Sequence, residues 1–224
     1  SMFTAADGPA RYKPVFDRMR AMKPYQLSDE LERFLHDTSV VGAAEYVNKH
    51  FDLITTAVAG LSRLAILRNP LSPSHPSQIK LLQELSQSRS IRVQVADARA
   101  RDDFEPAFAA LAGARAEALI ILGDTVFSQN AARIAALALK HRLPSIYAVD
   151  YAERGGLLTF GPNFPAIFRR AAHYVDRVLT GTRPGDLPFE QPTRFDLVIN
   201  LKTARALNLT LPPSLLAIAD RTVD

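Results

Sequence analysis

The stretch EALIILGDTVFSQNAARIAALALKHRLPSIYAVD (Glu117–Asp150) decides the fold of this chain. It begins with a continuous apolar run that ends in Gly-Asp, continues with an amphipathic helical pattern, and closes with a second apolar run. Neither apolar run alternates with polar residues, which predicts strands that are buried on both faces. A strand, a helix and a strand in this order are typical of a βαβ unit in a parallel sheet.

The same alternation extends in both directions along the chain. Towards the amino terminus, the predicted elements are strand LSRLAILRNP, loop LSPSHPSQ, helix IKLLQELSQSR, strand IRVQVADA and helix FEPAFAALAGARA. Towards the carboxyl terminus, they are strand GGLLTFGPN, helix FPAIFRRAAHYVDRVLTG with its stop at Gly181, linker TRPGDLPFEQP, strand RFDLVINL, helix KTARALNL and tail TLPPSLLAIADRTVD. Helical patterns over residues 12–44 and 43–59 come first. The order predicts an α/β fold with a doubly wound parallel sheet, preceded by a short helical segment.

The composition narrows the classes of function. The chain has 224 residues, a net charge of +4 and no cysteine. Its basic residues are spread along the sequence, whereas a nucleic-acid-binding surface shows a concentrated basic stripe. The absence of cysteine excludes disulfides and thiolate chemistry. No apolar run reaches the roughly 20 residues of a membrane span, and no apolar leader segment is present in the sequence as written.

Catalytic and metal-binding motifs are absent from the sequence. The five histidines form no H-E-x-x-H motif and no pair four residues apart: His36, His50, His75, His141 and His173. There is also no G-x-S-x-G elbow, no phosphate-binding P-loop and no G-x-G-x-x-G. We therefore expect no metal, no cofactor and no enzymatic activity.

Two acidic clusters have simple structural interpretations. The adjacent pair Asp102-Asp103 is predicted to cap the helix that starts at Phe104, because neighbouring carboxylates in a regular element point apart. Asp150 and Glu153, near Arg154, suit either a solvated salt-bridging loop or an acid–base group. The salt-bridging loop is the favoured interpretation.

Polar residues follow several of the predicted strands. In an open α/β sheet, ligands bind outside the carboxyl ends of the strands. The predicted strands end at Asn69-Pro70, Asp97, Gly123-Asp124-Thr125, Tyr147 to Asp150, and Phe160 to Asn163. We expect five of these side chains to surround one crevice: Asp124, Thr125, Tyr147, Asp150 and Asn163. The alternative is that each Asp or Asn only caps the following helix or shapes a turn.

The residues from about Asn48 to Asp224 resemble a known family. The similarity is carried by KHFDLITTAVAGLSRLAILRNP, EALIILGD, HRLPSIYAVD, GGLLTFGPN, the FRRAAHYVD helix, and above all LPFEQPTRFDLVINLKTARALNLTLPPSLL. These stretches resemble the carboxy-terminal part of ABC transporter substrate-binding proteins of the tryptophan/tyrosine type. The resemblance covers nearly four fifths of the chain.

The resemblance implies a fold, a role and a set of binding residues. The fold is a periplasmic-binding-protein fold of type I, in which two α/β lobes hold a small solute between them. The implied role is solute binding for an ABC permease, in the periplasm and without catalysis. The residues expected to face the cleft are Asn69, Asp124, Thr125, Tyr147, Asp150, Phe160 and Asn163. Family members often have tyrosine at the position of Phe160, so a hydroxyl contact there is lost.

The first part of the chain resembles a different family. The run RYKPVFDRMRAMKPYQLSDELERFLHDTSVVGAA (residues 11–44) resembles a helical amino-terminal fragment of oligoendopeptidase F. The zinc motif of that family is absent, so peptidase activity does not carry over. We therefore predict two parts: a helical segment over residues 1–47 and an α/β lobe over residues 48–224. The sequence is interpreted as a fusion of two unrelated fragments, joined near residues 42–48.

These expectations lead to two functional hypotheses. In the first, the chain is the solute-binding component of an ABC importer, for a small organic solute such as an aromatic or branched amino acid. A single lobe would contact the solute on one side, with an affinity of roughly millimolar. In the second, the chain is a chimera that acts as an oligomeric interaction module without transport. The apolar face of helix 164–179 would be exposed without a second lobe, so we expect either the amino-terminal helices of the chain or a second copy to cover it. A homo-oligomer through this helix is the prediction. The resemblance implies a periplasmic location, whereas the sequence as written predicts a cytoplasmic one.

Overall fold

The computed structural model of the chain describes residues 43–183, 186–187 and 195–224. The strands in these residues are β1 (Arg63–Arg68), β2 (Arg92–Asp97), β3 (Ala118–Ile121), β4 (Ser145–Tyr147), β5 (Leu158–Pro162), β6 (Phe195–Asn200) and β7 (Arg221–Val223). The α-helices are α1 (Ala43–Ala57), α2 (His75–Ser88), α3 (Phe104–Gly113), α4 (Thr125–Gln129), α5 (Ala131–Lys140), α6 (Phe164–Leu179), α7 (Leu201–Ala206) and α8 (Pro213–Ala217). None of these helices combines the length and apolar character needed to cross a bilayer.

The strands form one sheet in the order β2-β1-β3-β4-β5-β6-β7. The first five strands along the chain are parallel, and β7 is parallel to β6. Strand β6 runs antiparallel to β5, which the sequence pattern did not predict. The prediction of a doubly wound, mostly parallel sheet is confirmed.

Helices cover both faces of the sheet, and all buried positions of β1 and β3 are apolar. In β1, Leu64 and Ile66 point into a core that α1, α2, α7 and α8 cover. Ala65 and Leu67 point into a second core, which α3, α4 and α5 cover on the opposite face. Continuous apolar strands between two helical layers are expected of a parallel sheet.

Helix α6 belongs to one compact unit of the chain, and the sheet with the other seven described helices belongs to another. Its first turn contains Pro165, and the side chain of Asn163 accepts a hydrogen bond from the Ala166 amide (2.8 Å). At its other end Gly181 has a φ of +103°, and the amide of Thr182 donates to the carbonyl of Arg177 (2.9 Å). This Schellman arrangement confirms the predicted stop at Gly181.

Four details differ from the sequence prediction. The helix predicted over residues 126–142 is divided at Asn130, whose side-chain amide donates to the Val126 carbonyl (2.8 Å) and competes with the helical pattern. Helix α2 begins at His75, inside the stretch predicted as a loop. The predicted tail contains helix α8 and strand β7. Asp103 does not cap α3: its carboxylate accepts hydrogen bonds from the backbone and side chain of Arg99 instead.

The predicted helices of residues 12–42 lie outside the described residues, as does most of the linker before β6. The domain boundary predicted after residue 47 falls within α1, which packs on the sheet through Val47, Phe51 and Ile54. The resemblance of residues 11–44 to a fragment of oligoendopeptidase F stays a prediction, since most of these residues lie outside the described ones.

The ring of Tyr151 packs against the backbone at Gly156. The ring is fully buried, and a methyl group on Gly156 would lie 2.1 Å from its Cδ1 atom. We expect Gly156→Ala to lower the free energy of unfolding by about 2 kcal/mol or more, since the ring would have to move. Urea denaturation measures this loss. Gly113→Ala is the matched control, because its methyl group would meet no atom within 4 Å at the end of α3; equal stabilities of the two variants would contradict the prediction.

A buried histidine joins α1 to β5. His50 is 1% exposed, and its Nε2 atom donates a hydrogen bond to the Phe160 carbonyl (2.7 Å). Burial lowers the pKa of His50 to about 4, although the hydrogen bond to Phe160 acts in the opposite direction. The unfolded chain therefore binds a proton between about pH 6.5 and pH 4 that the folded chain does not bind.

We expect this histidine to make the folded protein less stable as the pH falls. The stabilisation from neutral His50 is complete above about pH 6.5 and is lost towards pH 4, amounting to about 3 kcal/mol. Urea denaturation at several pH values should show this slope, and His50→Gln should remove it. The exposed His173 provides the control, because His173→Gln should leave the slope unchanged.

Candidate functional site

The candidate site lies at the carboxyl ends of β1 and β3. These strands are neighbours, and the strand order changes direction between them, since β2 lies on the other side of β1. In such sheets this switch point opens a crevice that binds ligands. Asn69 follows β1 and Asp124 follows β3, and the Asn69 Nδ2 atom donates to Asp124 Oδ2 (3.0 Å). The structure thus brings together two of the predicted residues.

Asp124 is held by several hydrogen bonds at once. Its Oδ1 atom accepts from the Val126 amide (2.8 Å), which makes Asp124 the cap of α4. Its backbone carbonyl accepts from the Tyr147 hydroxyl (2.9 Å) and the Ser128 hydroxyl (3.0 Å). Asp124 therefore caps a helix, as the alternative interpretation of the strand-end residues predicted. The same hydrogen bonds fix the position of its carboxylate at the end of β3.

Tyr147, at the end of β4, places its hydroxyl against Asp124 and Ser128. Its ring is 1% exposed and packs in the core, 6.0 Å from the ring of Tyr151. Its hydroxyl lies 2.7 Å from Ser128 Oγ. Burial raises the pKa of Tyr147, so the hydroxyl stays a neutral hydrogen-bonding group. In this structure the Tyr147 ring does not offer an aromatic face to the crevice, and its contact with a solute stays a prediction.

Sequence reasoning missed His75, because histidines were considered only as metal ligands. His75 is fully buried at the first position of α2. Its Nδ1 atom lies 3.0 Å from the Asn69 amide nitrogen, and its Nε2 atom lies 3.1 Å from the Gly123 carbonyl oxygen. It therefore contacts the backbone of both strand ends. The signal in the sequence was a histidine six residues after the end of a predicted strand.

Two exposed side chains border the polar pair. Thr125, the first residue of α4, is exposed. Leu71 is 75% exposed, although the Asn69 Oδ1 atom holds its backbone amide (3.0 Å). A fixed backbone with an exposed apolar side chain leaves the leucine available to a partner molecule. The rim therefore combines an amide, a carboxylate, a hydroxyl and an apolar group.

Asp150 lies in the connection between β4 and β5. It is exposed, with a φ of +44°, and no described hydrogen bond links it to Asn69 or Asp124. The following residues are tied to other elements: the Ala152 amide donates to Thr159 Oγ1 (2.7 Å), and Asn200 Nδ2 donates to the Ala152 carbonyl (2.7 Å). The carboxylate of Glu153 pairs with the guanidinium of Arg221, a more distant partner than the Arg154 named in the salt-bridging interpretation.

The two remaining predicted residues, Phe160 and Asn163, contact other parts of the protein. Phe160 is partly buried against the core, and its ring stacks on that of Phe195 (5.6 Å). Asn163 caps α6 and belongs to the same compact unit as that helix. Solute contacts from Asp150, Phe160 and Asn163 stay predictions.

An open groove of about 610 Å³ lies elsewhere, between the end of β2 and α3. Its two carboxylates already have basic partners, since Asp97 pairs with Arg68 and Asp103 with Arg99. Neither Asn69 nor Asp124 lines it. We therefore place the candidate site at the strand ends and not in this groove. Among the described residues, no group of three or more histidine or acidic side chains is arranged to hold a metal ion.

Comparisons with known proteins point to one family. A family model described as ABC transporter substrate binding protein matches residues 25–223. This match begins before the boundary predicted at residue 48. A comparison with curated proteins found no match.

Several solved structures share the fold. A conserved domain protein from Vibrio cholerae O1 biovar El Tor is 27% identical, with a TM-score of 0.71 over 79% of this chain and 60% of that chain. An ABC domain from Streptococcus pneumoniae in complex with L-Trp is 17% identical, with a TM-score of 0.70 over 80% and 60%. A ligand-free, open substrate-binding protein with adhesive properties from Clostridium difficile is 15% identical, with a TM-score of 0.58 over 79% and 60%. The last two show the fold alone, and the chain spans 60% of the length of each of these structures.

The hydroxyl of Tyr147 should be energetically coupled to that of Ser128. We expect Tyr147→Phe to lower the free energy of unfolding by about 1–2 kcal/mol, because a buried hydroxyl and its partners lose their hydrogen bonds. A double-mutant cycle with Ser128→Ala, followed by urea denaturation, should give a coupling energy of at least about 0.5 kcal/mol. The exposed Ser88 provides the control: Tyr147→Phe and Ser88→Ala should be additive, and the same additivity with Ser128→Ala would contradict this network.

Proposed function

Because the chain belongs to the ABC transporter substrate-binding protein family, we propose that it binds a small organic solute at the carboxyl ends of β1 and β3. The observation that carries the proposal is the hydrogen-bonded pair of Asn69 and Asp124 at the switch point of the sheet. This is where open α/β sheets bind their ligands. The pair lies beside the exposed Thr125 and Leu71, so polar and apolar groups meet at one place.

We propose an amino acid with an aromatic or branched side chain as the solute. The carboxylate of Asp124 suits the ammonium group of such a solute, because a charge-assisted hydrogen bond is stronger than a neutral one. The side chain of Leu71 suits the apolar part of the solute, since it is fixed at its backbone and exposed. The Streptococcus pneumoniae structure, which holds L-Trp, has the same fold and supports this class of solute.

The proposed physiological role is delivery of the solute to an ABC permease in the periplasm. Family membership supports this role. Homo-oligomerisation through α6 stays a prediction, which light scattering coupled to size-exclusion chromatography can test. No specific observation favours the second hypothesis of an interaction module without transport.

Isothermal titration calorimetry with L-tryptophan, L-phenylalanine and L-leucine tests the proposed solute class. We expect at least one of them to bind, with a Kd between about micromolar and millimolar, and its D-enantiomer to bind more weakly. Heats indistinguishable from dilution for all three amino acids would overturn the proposed solute class.

The variant Asp124→Asn tests the proposed site. Asparagine is as good a helix cap as aspartate, so α4 should be retained while the negative charge is lost. We expect the affinity for the bound amino acid to fall about tenfold or more, equivalent to about 1.4 kcal/mol. The exposed Asp102 provides the matched control, because Asp102→Asn should leave the affinity unchanged. Unchanged affinity of Asp124→Asn would place the solute elsewhere.

A further inference from the structure

We propose that His75 is a positioning residue, whose imidazole holds the ends of β1 and β3 at the separation that the Asn69–Asp124 pair requires. This inference rests on the function proposed above. It assigns the orientation of the site to a side chain that is fully buried and does not itself contact the solute.

The hydrogen bonds of the sheet end just before the site. The amide of Leu122 donates to the carbonyl of Leu67 (3.0 Å), as in a parallel pair. Beyond this bond, β1 continues into the Asn69-Pro70 turn and β3 into Gly123 and Asp124. His75 lies at this position, with one ring nitrogen on the backbone of each strand end. The imidazole therefore connects β1 and β3 just beyond the last backbone hydrogen bond between them.

The contact with Gly123 determines the protonation of Nε2. The Gly123 carbonyl oxygen only accepts hydrogen bonds, so Nε2 must carry a proton and donate to it (3.1 Å). Nδ1 lies 3.0 Å from the Asn69 amide nitrogen and 3.1 Å from the Asn69 carbonyl oxygen, so it contacts a donor and an acceptor of the same residue. The geometry therefore requires a proton on Nε2, and the contact with the Asn69 backbone exists with or without a proton on Nδ1.

The two contacts of His75 fix Asn69, whose side chain belongs to the candidate site, and Gly123, which precedes Asp124. Holding the Asn69 backbone fixes a side chain whose two polar atoms bind Leu71 and Asp124. Gly123 has no side chain to hold it, and a methyl group there would meet no atom within 4 Å. The bond from His75 is thus a constraint on Gly123 that packing does not provide. The next residue is Asp124.

Helix α2 supplies a rigid support for this ring. His75 is its first residue and Pro76 the second, so the backbone at the ring is restricted. Further along the helix, Ile79 and Leu82 are buried in the core beneath the sheet. Movement of the ring would therefore require movement of a packed helix.

Nuclear magnetic resonance of the ¹⁵N-labelled wild-type protein tests the geometry without any solute. We expect a proton on Nε2 of His75 in the folded protein, because only a donor at this position can bind the Gly123 carbonyl oxygen. An unprotonated Nε2 in the folded protein would overturn the proposal.

Three variants separate the two contacts. His75→Asn retains an acceptor near the Nδ1 position, His75→Gln retains a donor near the Nε2 position, and His75→Ala retains neither. In each we expect faster hydrogen exchange at the Val126 amide, which Asp124 caps, by about tenfold or more and most in His75→Ala. The control is His50→Gln, a change at a buried histidine on α1 that should leave Val126 exchange within about twofold of wild type.

The affinity for L-tryptophan distinguishes this proposal from the proposed function. If wild type binds it, we expect the Asn and Gln variants to bind about tenfold more weakly and His50→Gln to bind normally. If wild type does not bind L-tryptophan, the proposed solute fails, but the proton on Nε2 and the Val126 exchange still decide whether His75 positions the site. Unchanged Val126 exchange in all three His75 variants, or equal effects of His50→Gln, would overturn the proposal.

Discussion

The parallel pairing of β1 with β3 is the constraint on which the rest of this structure depends. It joins Leu64 to Ala118 and Leu67 to Ile121, and both strands are buried on both faces. Because parallel strands end at the same edge, this pairing brings the Asn69 Nδ2 atom to 3.0 Å from Asp124 Oδ2, although the two residues are 55 positions apart in the sequence. The strand order reverses at the same place, which is where open α/β sheets bind their ligands. The packing of the core and the position of the site thus have one physical cause.

The polar groups behind the crevice are satisfied by the protein itself. Asp124 caps α4, the Tyr147 hydroxyl binds the Asp124 carbonyl, and His75 bonds to both strand ends. A buried network of this kind is stable only when its members have partners. Satisfying these groups internally also fixes them before a solute arrives, which lowers the cost of ordering on binding. Capping and binding are therefore compatible roles for Asp124.

Much of the fold was predictable because apolar periodicity depends on neighbours along the chain. The runs ending at Asn69 and Asp124 were predicted as strands, and the family resemblance then placed these two residues at one cleft. Three features were not predictable: the division of the helix at Asn130, the hydrogen bond of Asp103 to Arg99, and the pairing of β7 with β6. Each of them depends on one hydrogen-bonding partner among several that the sequence allows. Tyr147 was predicted at the rim, but its ring lies in the core and only its hydroxyl reaches Asp124. The direction of a side chain at a strand end depends on what packs against it.

The sequence by itself determined the class of fold, the succession of strands and helices around Glu117–Asp150, and the absence of catalytic and metal-binding motifs. These properties follow from residue type and spacing, which are local. Only the tertiary structure decided that β6 runs antiparallel to β5, that Asn69 bonds to Asp124, and that His75 holds both strand ends. The physical reason is that each of these contacts joins residues brought together by the packing of the sheet. The spacing of residues along the chain does not specify which of them come into contact in this way.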